Sequence, residues 1–140
     1  METPIPRWIV IVSALIAAMG VFVGCSLYLT PGTFIPGIDF SSNGAAYLAQ
    51  MWGARQIALA GIIAYSLLRR SSFMLRVSLL AYCIMNIQDA GIGLFKGDIG
   101  LIAGASVATV LTGSIFFVLS RSDKALRDRA GAERNPSSHL

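Results

Sequence analysis

Two ionisable residues stand inside apolar runs of this 140-residue chain: Arg55, in Met51-Trp52-Gly53-Ala54-Arg55-Gln56, and Asp89, in Asn86-Ile87-Gln88-Asp89. An arginine at the middle of a membrane costs about 2.5 to 3.5 kcal/mol on insertion scales unless it is paired or hydrated. Arg55 lies about ten residues below the outer end of its run, roughly 15 Å deep at 1.5 Å per residue. Asp89 lies about six residues below the outer end of its own run, so the two charges differ in depth by only about 6 Å. Side chains lean toward the N-terminus of their helix. With the two helices running in opposite directions, Arg55 and Asp89 are expected to face each other.

Helical periodicity puts Tyr82, Asn86, Asp89 and Gly93 on one face and Met51, Arg55, Ala58 and Ile62 on another. With Thr109 and Thr112, these faces would surround a small polar pocket opening outward. The chemistry on offer is the binding of an anionic, polar or lipid-like ligand, with Arg55 supplying the charge and Asp89 orienting it or accepting a proton. The plainer alternative is a buried ion pair that fixes helix register and does nothing else.

Other reactive side chains are few. Gln50 and Gln88 lie off the faces of their charged neighbours and suit helix–helix hydrogen bonding. Cys25 and Cys83 stand in different runs, about 12 Å apart in depth, beyond the reach of a disulfide. His139, the single histidine, is the penultimate residue, so neither a histidine-based metal site nor any cofactor is indicated. The apolar connection Thr33-Phe34-Ile35-Pro36-Gly37-Ile38-Asp39-Phe40 is read as an interfacial anchor, or as a lid that brings Asp39 toward Arg55.

Four helices must position these residues. A chain 55% hydrophobic and 13% charged, with mean hydropathy +0.69, is too apolar for a soluble domain of this size. Spans of about 20 residues fit at about 8–30, 45–68, 74–95 and 99–119. The expected fold is therefore an all-α, integral membrane four-helix bundle over residues 1–120, followed by a polar, basic and mobile tail over 121–140. The first run is too long for a signal-peptide core, and it is read as a span although Val23-Gly24-Cys25 faintly resembles a lipoprotein cleavage site. Turn pairs at Pro31-Gly32, Pro36-Gly37 and Asn43-Gly44 punctuate the first connection, and Lys96-Gly97-Asp98 makes the last a tight turn.

A net charge of +4 could suggest nucleic acid, but the basic residues cluster at helix ends and are better explained by orientation. Nine of them (Arg7, Arg69, Arg70, Arg76, Arg121, Lys124, Arg127, Arg129 and Arg134) fall on one side and Lys96 alone on the other. This places both termini in the cytoplasm and the chain in the inner membrane. Small residues recur at helical spacing: Ser13, Ala17, Gly20 and Gly24 in the first span, and Gly104, Ala108 and Gly113 in the fourth. Such stripes let helix backbones approach closely in lipid. The tail spaces Asp123 with Arg127 and Lys124 with Asp128 at i, i+4, which suits a helix on an anionic lipid surface.

At Gly53-Ala54-Arg55, followed by Ala58 and Gly61 and then by Asp89, the sequence resembles the DoxX-like group of small four-helix bacterial membrane proteins over about residues 10 to 120. The similarity is to a branch with Gly-Ala-Arg in its second span. DoxX is linked to a membrane quinol-oxidising complex, so the resemblance implies an accessory role near redox or lipid chemistry. The chain carries no quinone, haem or metal signature of its own. Four functions stay open: ligand binding, proton- or ion-coupled transport by a homo-oligomer with Asp89 titrating, membrane catalysis with Asp89 as acid/base and Arg55 as oxyanion stabiliser, and a structural or assembly role.

Overall fold

The computed structural model describes residues 5–34, 39–41 and 43–134. These form α1 (Arg7–Leu29), a single turn α2 (Pro31–Phe34), α3 (Asn43–Leu68), α4 (Ser72–Lys96) and α5 (Ile99–Arg134), with no strand among the described residues. Four of the helices are long and apolar enough to cross a membrane: Arg7–Leu29, Gly44–Leu68, Ser72–Lys96 and the Ile99–Ala125 part of α5. The protein is a multi-pass, all-helical membrane protein.

The helix ends follow from local chemistry. The Thr30 N–H closes α1 on the Ser26 carbonyl at 2.8 Å, and Pro31, having no N–H, starts a new turn. Between α3 and α4, Arg70 turns the chain with a left-handed φ of 50°, and the Ser71 hydroxyl caps α4 by accepting from the Met74 N–H at 3.4 Å. Gly97 ends α4 at φ 69°, letting the Asp98 N–H reach the Gly93 carbonyl at 3.0 Å. This is the Schellman closure that a glycine makes inexpensive. The Asp98 carboxylate then caps α5 by accepting from the Leu101 N–H at 3.0 Å, so one aspartate serves both helices of the tight turn.

The chain divides into two compact parts, one spanning Pro6–Arg69 and the other running from Arg70 onward. Each is an antiparallel helical hairpin, α1 with α3 and α4 with α5. Buried positions recur in steps of three and four, as at Gly20, Gly24 and Leu27 on α1, and at Leu75, Leu79, Tyr82, Asn86, Asp89 and Gly93 on α4. This is the 3.5-residue period of a left-handed coiled-coil seam.

In the first hairpin the expected small-residue stripe lies on that seam, with Ser13, Ala17, Gly20 and Gly24 all buried. The α1 and α3 backbones meet where Gly24 crosses Gly53, since a Cβ built on Gly53 would stand 2.6 Å from the Gly24 carbonyl oxygen. Gly53, which the sequence offered as part of a motif with Arg55, is thus a packing residue.

The second hairpin departs from expectation twice. Gly104 is exposed, with nothing within 4 Å of where its Cβ would be; the α5 seam runs instead through Ala105, Thr112, Ile115 and Leu119. Size alone misleads here because small residues occur on every face of α5. Moreover, α5 does not end near Leu119 but continues as helix to Arg134, with no proline or glycine before Gly131 to break it.

Candidate functional site

The polar face predicted for α4 exists. Tyr82, Asn86 and Asp89 are exposed by only 7%, 6% and 5%, and Gly93 on the same face packs against Ile102 of α5. All lie within the membrane-spanning length of α4.

Hydrogen-bond donors around this face are turned back onto backbone carbonyls. The Asn86 amide Nδ2 donates to the Tyr82 carbonyl at 2.7 Å. Thr109 donates to the Ala105 carbonyl at 2.8 Å, and Thr112 to the Ala108 carbonyl at 2.7 Å. Across the hairpin the Cys83 thiol points at the Thr109 carbonyl, 3.8 Å away, so Cys83 is an α4–α5 packing residue. In a membrane interior each unpaired donor is costly. Self-satisfaction of the hydroxyls leaves the two threonines chiefly acceptor lone pairs to offer. Of the two threonines, Thr112 is fully buried and Thr109 half-buried.

In the α1–α3 hairpin, Met51, Arg55, Ala58 and Ile62 do share a face, and it is the exposed one, opposite the seam formed with α1. Arg55 stands eleven residues after Gly44, where the apolar span begins, or about 16 Å along the helix. Gln50 and Gln88, expected to bond between helices, are exposed. Gln56 takes that seam position instead: it is 6% exposed, and its Oε1 has no hydrogen-bond partner among the described residues. Its sequence signal was its spacing, three residues after Gly53 and four before Ala60, the helical neighbours that pack against α1.

Asp39 lies on the connection before α3, fully exposed, and both its carboxylate oxygens accept from Ser41, one from the backbone N–H and one from the hydroxyl, each at 2.9 Å. These bonds, the backbone one foremost, hold its carboxyl below the usual aspartate range. Residues 35–38 of the expected lid, and His139, lie outside the described residues.

A further pair escaped sequence reasoning. Arg76 on α4 and Asp123 on α5 form an ion pair, Nη1 to Oδ2, at 2.9 Å, with both side chains largely buried. Arg76 had been read only as an orientation charge, and Asp123 only as a partner for Arg127 on its own helix. Among the described residues, no cluster of three His, Cys, Asp or Glu side chains could hold a metal ion. No family model, curated protein or solved structure matches this chain.

Proposed function

We propose that this chain is a small multi-pass protein of the bacterial inner membrane, with both termini cytoplasmic, that binds a small polar or lipid-like ligand through the polar seam of α4. The observation that carries the reading is Asp89, an ionisable group nine-tenths buried at membrane depth beside Asn86 and Tyr82. Ionisable groups in that setting are costly and characteristically serve a ligand or ion. Arg55 joins the reading on its sequence depth alone. The orientation rests on the nine-to-one distribution of basic residues.

A second reading is favoured by the seam spacing itself, since a polar residue at a coiled-coil core position specifies register. Labelling Asp89 with a hydrophobic carbodiimide in liposomes separates the two. Under the ligand reading, one of a panel of polar and lipid-like additives slows labelling, Arg55→Gln weakens that protection, and Asp89→Asn folds normally but fails to complement a deletion strain. No protection across the panel, together with an Asp89→Asn chain that complements fully, would leave only the register role.

A further inference from the structure

The end of the second hairpin farthest from the Gly97 turn carries an arrangement that the seam does not use. Arg76 and Asp123 neutralise each other there at 2.9 Å. The Arg121 guanidinium lies over the Phe117 ring, 4.3 Å from its centroid, and both residues are exposed. Arg76 lies 6.0 Å from the Phe73 centroid, and Phe73 is exposed as well. Lys124 and Arg70 are exposed at the same end.

Depth assigns this end to the membrane boundary. Asp123 is 24 residues beyond Ile99, where α5 starts, which is about 36 Å at 1.5 Å per residue and so past a hydrocarbon core of about 30 Å. Phe117 then faces acyl chains while Arg121, one turn further, reaches headgroups. The ring holds the guanidinium in place while the Arg121 side chain stays exposed. With Asp123 paired to Arg76, the exposed charges at this end are Arg70, Arg121 and Lys124 against Asp128, and the surface presents net positive charge.

We infer that this end of the α4–α5 hairpin is a binding surface for anionic phospholipid headgroups, with Arg121 and Lys124 holding the phosphate and Phe117 seated among the acyl chains. The Arg76–Asp123 pair is a positioning element that keeps α5 in register with α4 at the headgroup level. A membrane lipid is favoured over a free anion because the Arg121 guanidinium sits on the exposed Phe117 ring, which a soluble ion has no use for.

The test is a titration of dioctanoyl phosphatidylglycerol into the full chain in a zwitterionic detergent, read by native mass spectrometry, with dioctanoyl phosphatidylcholine and inorganic phosphate as parallel arms. Phosphatidylglycerol is expected to bind in preference to phosphatidylcholine and to resist displacement by phosphate. Arg121→Gln and Lys124→Gln should each weaken it about fivefold, the effect of roughly one basic residue at a charged surface. Arg121→Lys, which keeps the charge, should lose less, and Lys96→Gln at the opposite end should change nothing. Asp123→Asn, by releasing Arg76, should tighten phosphatidylglycerol binding while lowering the thermal midpoint, a combination that a merely structural pair would not give. Unchanged binding in both glutamine variants, an equal loss in Lys96→Gln, or displacement by phosphate at matched charge would each overturn the proposal.

Discussion

Gly24 and Gly53 pack backbone on backbone: a Cβ on Gly24 would stand 2.6 Å from Ile57 Cγ1 and 2.8 Å from the Gly53 carbonyl oxygen. The carbonyl oxygen, being backbone, cannot move without separating α1 from α3. Gly53→Ala is therefore expected to destabilise the chain by about 1 to 3 kcal/mol, the usual cost of overpacking, whereas Gly61→Ala, with nothing within 4 Å, should be neutral or slightly stabilising. Thermal unfolding in detergent compares the two. Equal midpoints would refute the close crossing.

The α4–α5 turn makes a separable prediction. Gly97 holds φ 69°, which an L-residue adopts at a cost of roughly 1 kcal/mol. Gly97→Ala should lose about that much stability, and Asp98→Ala a similar amount by uncapping α5. Hydrogen exchange should localise the second loss to the Leu101 amide, whose N–H the carboxylate accepts.

Arg76→Ala leaves the Asp123 carboxylate without the partner at 2.9 Å. Since both side chains retain some solvent contact, the expected cost is about 1 to 2 kcal/mol, between that of surface and buried pairs. A double-mutant cycle with Asp123→Ala reads the coupling directly, and a coupling near zero would make the pair incidental.

Asp39 sets an acid dependence at the connection before α3. Its folded pKa is lowered by the Ser41 bonds, so the ionised form is favoured in the folded chain and the proton must be forced on. The turn's contribution is complete above the ordinary aspartate value of about 3.9 and is lost as pH falls through the lowered folded value. Carboxyl titration by NMR should place Asp39 below the ordinary aspartate value. Asp39→Asn should abolish the acid dependence of Ser41 amide exchange.

The spans were legible because apolar length is a strong signal, and so was the Tyr82-Asn86-Asp89 face, because polar residues in an apolar helix mark their own phase. On α5 the same method failed. Gly104 and Ala105 are adjacent and both small, so residue size could not decide which of them meets α4. Gln56 was passed over because attention to charge fell on Arg55 beside it, although only Gln56 lies on the seam with Gly53. The Arg76–Asp123 pair joins residues 47 apart in sequence, a separation at which no local periodicity speaks. Its recognition needed the α5 helix to run past the membrane edge, whereas polarity alone suggested a tail after Ser120.

That unbroken helix ties bilayer thickness to the aqueous side of the protein. At 36 residues, α5 is about 54 Å long, so some 24 Å of it stands clear of a hydrocarbon core of about 30 Å. A thinner bilayer makes a long apolar helix tilt, and with no break between the buried and projecting parts, a tilt inside the membrane becomes a sideways swing of the Arg134 end outside it.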